Sequence, residues 1–332
     1  MSRKLGTKGP LVSSIGLGAM GMSDLYGPAD RDESIATIHA ALDNGVSLID
    51  TGDFYGAGHN ELLIAEALRG RDRTQVQISV KFGALRDPQG GWGGTDNSPA
   101  HVKNYLANTL RRLGTDYVDI YRPARLDKKV PIEETIGAIA DMVKAGYVKY
   151  IGLSEVSAET LRRAQAVHPI ADLQIEYSLI SRGLENDILP VARELGIGIT
   201  AYGVLSRGLI SGHWSKARAA ESDFRNINPR FQGHNLDKNL LLVERIRALA
   251  AAKNVTVAQL AIAWVLAQGA DIVPLVGARK RERLSEALGA LKVNLTPADL
   301  REIELVVPRN AAAGARYNDY LISDLDSEAT SR

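Results

Sequence analysis

The sequence predicts an α/β protein folded as one (β/α)8 TIM barrel over residues 1–332. Short apolar runs, often β-branched, alternate along the chain with longer segments of helical period. This alternation is typical of parallel strands joined by crossover helices. Eight regularly spaced units favour a closed barrel, although a doubly wound open sheet shows the same alternation.

The predicted strands are short and apolar, and several end in a polar residue. In chain order they are Ser14–Gly18, Val46–Asp50, Val76–Lys81, Tyr117–Tyr121, Val148–Ser154, Leu173–Tyr177, Ile197–Tyr202 and Ile272–Val276. The predicted helices cover 31–44, 59–69, 99–113, 132–145, 157–167, 184–195, 238–268 and 279–290. Some helix ends carry clear signals: Ser98 and Pro99 suit a helix start, and Gly114 suits a helix end.

Three stretches lack a clear period, and we expect them to form long loops at the C-terminal face of the barrel. They are 83–98, 204–237 and 308–332, the last of which is a C-terminal loop or tail. Loops of this length inside a compact domain are commonly lids or binding loops, and otherwise they are surface insertions.

Composition argues against several classes of function. Lys and Arg total 40 and Asp and Glu total 39, which speaks against a nucleic-acid partner bound through a basic face. The lack of cysteine excludes disulfides and cysteine nucleophiles, and the six histidines form no close ligand pair, so no metal is expected. No window approaches the roughly 18 apolar residues of a membrane span. We expect a cytoplasmic protein with a small-molecule substrate and no membrane partner, its oligomeric state left open.

The segment Gly16–Gly21 matches the dinucleotide fingerprint G-x-G-x-x-G. That fingerprint should open directly into a helix whose N-terminus faces pyrophosphate. Gly27 and Pro28 follow too soon for a helix to form. The segment is therefore better interpreted as a strand end and a glycine turn.

Three polar residues point to chemistry at the mouth of the barrel. Asp50 ends one predicted strand, Lys81 ends the next, and Tyr55 follows Asp50 in a glycine-rich turn. Barrel enzymes carry their active sites at the C-terminal ends of the strands, where these three side chains could meet. Each also has an ordinary alternative: a helix cap, a solvated strand end and a loop-packing residue respectively.

The segment Asp50–Glu61, DTGDFYGAGHNE, resembles the aldo-keto reductase signature, with Gly52 where alanine is usual. The resemblance covers nearly the whole chain and includes motifs at several predicted strand ends. They are 16–23, Lys81, 117–121, 151–154, 174–178, 201–208 and 274–279. The motif RPARLD at 122–127 resembles that of a subgroup that includes bacterial pyridoxal-reductase-like enzymes.

The resemblance implies hydride transfer from NADPH to an aldehyde or ketone, which becomes an alcohol. Tyr55 would be the general acid, Lys81 would tune it, and Asp50 would hold Lys81 charged. Tyrosine is a poor acid at its ordinary pKa of about 10, and a nearby ammonium makes its proton more available.

Ala124 stands where the family usually has a histidine. Alanine can neither donate a hydrogen bond nor transfer a proton. Two alternatives therefore stay open. The first is an NADPH-binding regulatory or interaction protein related to potassium-channel β-subunits, which lack this histidine. The second is a reductase of activated C=C bonds, since such relatives also replace it, though with an acid.

The resemblance also implies a cofactor site. Nicotinamide would stack on Tyr202, its carboxamide would be held by Ser154, Glu155 and Gln174, and the adenosine 2′-phosphate would meet a basic cluster. Ala287 departs from the asparagine that usually holds adenine. The full predicted set is Gly18, Met20, Asp50, Ser154, Glu155, Gln174, Tyr202, Gly203, Leu205, Ser206, Arg207, Gly208, Gly277, Arg279, Lys280, Arg283 and Glu286.

Aromatic residues are expected to line the substrate side of the cavity. The predicted set is Tyr26, Tyr55, Trp92, Tyr121 and Tyr317, which favours aromatic or heteroaromatic aldehydes such as pyridoxal. The resemblance also implies an N-terminal β-hairpin at the bottom of the barrel, formed by Lys4–Leu5 and Leu11–Val12.

Overall fold

Eight parallel strands close into a barrel in a computed structural model that describes residues 2–23, 25–215 and 224–328. The predicted (β/α)8 TIM barrel is thus confirmed. In chain order the described strands are β1 (Ser2–Lys4), β2 (Leu11–Ser13), β3 (Gly16–Gly18), β4 (Leu48–Gly52), β5 (Gln77–Phe82), β6 (Ala84–Arg86), β7 (Trp92–Thr95), β8 (Val118–Pro123), β9 (Val148–Ser154), β10 (Ile170–Glu176), β11 (Gly198–Tyr202) and β12 (Ile272–Gly277). Around the barrel the order is β3, β4, β5, β8, β9, β10, β11 and β12.

The helices pack around the outside of these strands. They are α1 (Arg31–Asp43), α2 (His59–Ala67), α3 (Pro99–Leu113), α4 (Ile132–Lys144), α5 (Ala158–Val167), α6 (Ile188–Glu194), α7 (Gly233–Ala252), α8 (Val257–Ala267), α9 (Arg281–Leu288), α10 (Pro297–Val306) and α11 (Asp319–Ser323). Helix α3 shows why: Val102, Leu106 and Leu113 are buried on one stripe. Gly114 ends the helix with a φ of 63°, a left-handed conformation that glycine adopts without strain.

The predicted helix 238–268 is two helices, and this part of the prediction was wrong. Helix α7 ends at Ala252, and Asn254 just after it takes a φ of 55°. Thr256 then caps α8 in a capping box with Gln259. The two helices are bent by 84°, so the continuous apolar pattern hid a corner. Of the described helices, none alone is long and apolar enough to cross a membrane, although this bent pair together has the length and composition.

The N-terminal hairpin is present, and it lies at the bottom of the barrel. Strands β1 and β2 pair antiparallel, with Arg3 opposite Val12. Leu5 and Val12 are buried in a cluster with the barrel residues Leu48 and Val273. The bottom of the barrel is therefore closed by apolar packing.

The three predicted loop regions contain some regular structure. Segment 83–98 carries the antiparallel hairpin β6–β7, whose glycine-rich second strand gave no periodic signal. Segment 204–237 holds short 3-10 turns, and its residues 216–223 lie outside the described part. Segment 308–332 includes the one-turn helix α11, and 329–332 lie outside the described part.

Candidate active site

A cavity of about 510 Å³ opens at the C-terminal mouth of the barrel. That is the volume range of small-molecule sites, and the position is where barrel enzymes carry their chemistry. Most of the residues that the sequence assigned to a site line it. They are Gly18, Met20, Tyr26, Asp50, Tyr55, Lys81, Trp92, Ala124, Ser154, Gln174, Tyr202, Gly203, Leu205, Arg207, Gly208, Gly277, Arg279, Arg283, Glu286 and Tyr317.

Asp50 is the centre of the cavity floor. Its carboxylate accepts hydrogen bonds from Lys81 Nζ, from Ser79 Oγ at 2.8 Å and from Gln174 Nε2 at 2.7 Å. Parallel pairing sets this geometry, because the register of β4 and β5 places Asp50 beside Ser79. Asp50 is therefore an ion-pair partner of Lys81, and it does not cap the helix that follows.

Tyr55 lies over this pair, 6% exposed, with its ring centroid 5.2 Å from Lys81 Nζ. Burial raises the pKa of the Tyr55 phenol well above its ordinary value, and the negative charge of Asp50 raises it further. Burial lowers the pKa of Lys81, while Asp50 acts in the opposite direction. The phenol is thus held protonated. Burial is the largest cause of the raised pKa, and the positive charge that opposes it is that of Arg125.

Gly52, the departure from the usual signature, has a packing reason. A Cβ built at this position would lie 3.2 Å from ring atoms of Phe54 and 3.4 Å from the ring of Tyr55. Such contacts are tight, so the two rings would have to shift. Glycine lets Phe54 pack edge-on against Tyr55, with centroids 4.9 Å apart.

Below the floor, a buried ion pair crosses the barrel. Arg122 donates to Asp172 at 2.9 Å and to Ser79 Oγ at 2.9 Å, and both members of the ion pair have fully buried side chains. Ser79 in turn donates to Asp50. The position of Asp50 therefore depends on a network that reaches across four strands.

At the opposite wall, Tyr202 is held by its hydroxyl. It donates to Glu155 Oε1 at 2.6 Å and lies 3.1 Å from the Tyr317 hydroxyl. Glu155 forms a two-pronged pair with Arg316, with contacts of 2.6 and 2.8 Å. Burial would raise the pKa of Glu155, but the Arg316 guanidinium holds it well below its usual range.

A basic cluster lies at the far end of the cavity, at the start of α9. Arg283 donates to Glu286 at 3.1 Å, and His213 lies 2.9 Å from the same carboxylate. Arg279 donates to the backbone carbonyls of Gly27 and Pro28 at 3.1 Å each. Cations at a helix N-terminus are disfavoured by the helix dipole, so an anionic ligand would stabilise this arrangement.

A family model of aldo/keto reductases matches residues 14–307. This chain belongs to the aldo/keto reductase family. Its curated relatives include a probable aldo-keto reductase 1 of Glycine max, 44% identical over 319 residues, which is 95% of this chain and 91% of the relative.

Solved aldo-keto reductases share the fold. The glycerol dehydrogenase AKR11B4 from Gluconobacter oxydans superposes with a TM-score of 0.83 at 30% identity, covering 92% of this chain and 94% of its own. The holo form of AKR11C1 from Bacillus halodurans gives 0.78 at 26% identity, covering 96% and 99%. The family assignment makes this protein an oxidoreductase that reduces carbonyl compounds with a nicotinamide cofactor.

Four residues that the sequence placed in this reductase site do not line the cavity. Tyr121 is fully buried between the barrel strands and the surrounding helices. There its hydroxyl donates to the Val102 carbonyl of α3 at 3.2 Å, and its ring stacks on Phe82. Its predicted place in the substrate wall was wrong. Glu155, Ser206 and Lys280 are also absent from the wall, and Glu155 is engaged with Arg316.

The sequence missed other parts of the site. Phe54 and Arg125 line the cavity, and Arg316 holds Glu155 and Tyr202 in place. Arg125 stands beside Ala124 and could have been singled out by that position alone. The role of Arg316 had no local signal, because 161 residues separate it from Glu155.

No described group of three or more His, Asp or Glu side chains is arranged to hold a metal ion.

Proposed function

We propose that this aldo-keto reductase uses NADPH to reduce an aromatic or heteroaromatic aldehyde such as pyridoxal, with Tyr55 as the proton donor. The observation that carries the proposal is the Asp50–Lys81–Tyr55 cluster on the floor of a largely apolar cavity. Trp92 and Phe54 stand together on the wall beside it, with centroids 5.8 Å apart. Such walls suit a planar aromatic substrate.

The chain's own residues supply the proton and the local charge. When bound, NADPH supplies the hydride that reduces the carbonyl carbon. Tyr55 Oη would donate its proton to the carbonyl oxygen as negative charge develops there. Lys81, kept charged by Asp50, would stabilise the phenolate that remains. Ala124 offers no second donor, so we assign proton delivery to Tyr55 alone.

The residues along the cavity fit the predicted cofactor. Gly277 lines the cavity and leaves open space where a side chain would stand, since a Cβ built there would meet nothing within 4 Å. Ser206 lies between Leu205 and Arg207, which line the cavity. It does not line the cavity itself, and its buried hydroxyl has no hydrogen-bond partner among the described residues. We assign Arg279 and Arg283 to the adenosine 2′-phosphate, which favours NADPH over NADH. Ser154, Gln174 and Tyr202 would hold the nicotinamide end.

We also propose that residues 1–332 form a single domain. The C-terminal segment supports this, because Arg316 and Ser327 both donate to Glu155 at the mouth of the barrel. Two alternatives rest on Ala124: a cofactor-binding regulatory protein related to channel β-subunits, and a C=C reductase.

The test is NADPH oxidation by the purified protein with pyridoxal, methylglyoxal and 4-nitrobenzaldehyde, followed at 340 nm. Multiple turnovers with faster reduction of the aromatic aldehydes are expected. Tight NADPH binding without turnover would favour the regulatory alternative. If product analysis after reaction with an enone shows that the C=C bond was reduced, the C=C reductase is favoured.

A further inference from the structure

Arg125 is a cation in the substrate half of the cavity that the proposed reaction does not use. It directly follows Ala124, and it lines the same cavity as Tyr55, Lys81 and Trp92. Its side chain is half-buried and donates only to the neighbouring Ala124 carbonyl, at 2.6 Å. Among the described residues it makes no ion pair.

Three other cations around the cavity form ion pairs, and Arg279, at the basic end, donates to two backbone carbonyls. Arg207 pairs with Glu176 at 2.9 Å, Arg283 pairs with Glu286 at 3.1 Å, and Lys81 pairs with Asp50. The acidic side chains of the wall give Arg125 no partner. Asp50 and Glu286 are taken by Lys81 and Arg283, and the exposed Asp324 does not come within 4.0 Å of Arg125.

Arg125 is also held in place by its backbone. Asn97 Nδ2 donates to the Arg125 carbonyl at 2.8 Å, and the Asn97 backbone N–H donates to Asp127 at 3.0 Å. The guanidinium acts on the reaction centre, since its charge opposes the raising of the Tyr55 pKa and adds to the lowering of the Lys81 pKa. Glu155, which is paired with Arg316, raises the pKa of Arg125 but forms no ion pair with it. A positive charge without an ion-pair partner among the described residues therefore faces the place of the substrate.

We propose that Arg125 binds an anionic group on the substrate, a carboxylate or a phosphate, so that this reductase prefers negatively charged aldehydes. The planar guanidinium matches either group with two parallel hydrogen bonds. Ala124, smaller than the usual histidine, lines the same cavity directly beside Arg125. This inference rests on the proposed function and defines its substrate class.

The test compares matched pairs of aldehydes by kcat/KM. The carboxylate pair is 4-carboxybenzaldehyde and its neutral methyl ester, and the phosphate pair is pyridoxal 5′-phosphate and pyridoxal. The wild type should favour one charged member or both by about tenfold or more, which is typical of hydrogen bonds to a charged group. The pair with the larger preference identifies the anion. Equal rates within both pairs would overturn the proposal without any variant.

The variants Arg125→Gln and Arg125→Lys test whether Arg125 is the residue that causes the preference for charged aldehydes. Arg125→Gln should abolish the preference by raising KM for the charged aldehyde and not for the neutral one. Any change of kcat that follows from the lost charge near Tyr55 and Lys81 should be the same for both aldehydes. Arg125→Lys, which keeps the charge, should retain part of the preference. If Arg125→Gln keeps the wild-type KM preference for the charged aldehyde, the anion is bound elsewhere and the proposal fails.

Binding separates this inference from the proposed function. If no aldehyde is turned over, the reductase proposal fails, and calorimetry of benzoate and benzamide still tests the anion site. Benzoate should bind the wild type about tenfold more tightly than benzamide, and Arg125→Gln should remove the difference. Equal affinities in the wild type would overturn the anion site itself.

Discussion

The floor of the cavity, formed by Asp50, Ser79, Lys81 and Gln174, differs from its basic end, formed by Arg279, Arg283 and Glu286. The floor side chains come from barrel strands and are buried, and the Asp50 carboxylate accepts from the other three. The basic end lies on a strand end and a helix start, and the Arg283 side chain is 36% exposed.

The difference shows two ways of preparing a site. On the floor, atomic positions matter, and the register of parallel strands supplies them. At the basic end, charge matters more than exact position, because a phosphate accepts hydrogen bonds from many directions. A change to the floor should therefore affect catalysis or folding, and a change at the basic end should affect cofactor affinity.

The largest expected effect is on turnover, in Tyr55→Phe. Phenylalanine keeps the edge-on contact with Phe54 but has no proton to donate. We expect kcat to fall by about 10²- to 10⁴-fold, the usual contribution of general acid catalysis. NADPH affinity, measured by fluorescence titration, should be unchanged. Unaltered turnover would remove Tyr55 from the proposed mechanism.

The next effect is on stability, in Asp172→Asn. This change leaves Arg122 fully buried without its counter-charge, which typically costs about 3–5 kcal/mol. Urea unfolding measures the loss. The control is Glu194→Gln, which breaks the exposed pair with Arg162 and should cost less than about 1 kcal/mol. Equal losses in the two variants would contradict the buried network.

At the basic end, Arg283→Gln should weaken NADPH binding by about tenfold or more, through a lost charged hydrogen bond. NADH binding should change little, because NADH has no 2′-phosphate. Arg281→Gln is the matched control, since Arg281 pairs with Glu33 at 2.9 Å away from the cavity wall. If both variants weaken NADPH equally, the effect is one of general charge and the assignment of Arg283 fails.

The smallest effect on activity near neutral pH is expected from the titration of Lys81, which we expect to appear in the pH profile of kcat/KM. Burial lowers the pKa of Lys81 from 10.5 and raises that of Tyr55 well above 10.0. The charged form of Lys81 exists below its pKa, so activity should fall as pH rises through a value under 10.5. A profile that stays flat past pH 10.5 would show that this charge is not required.

The barrel was predicted well from the sequence, because the patterns that indicate its strands and helices lie within short segments of the chain. Apolar runs and helical stripes record which faces are buried, and eight such units leave few topologies. The chemistry of the floor was also readable, because Asp50, Tyr55 and Lys81 stand at or just after strand ends. The error at α7 and α8 had a local cause, since the apolar pattern continues through the corner at Asn254.

By itself, the sequence determined the fold class, the family and the residue types available for catalysis. Only the tertiary structure decided which of them meet. Tyr121 and Arg122 are neighbours on β8, and alternate strand residues face opposite sides, so Arg122 enters the barrel and Tyr121 faces α3. The Glu155–Arg316 pair and the unpaired charge of Arg125 likewise depend on contacts between distant segments. Periodicity records burial, whereas the pairing of charges is set only when the barrel closes.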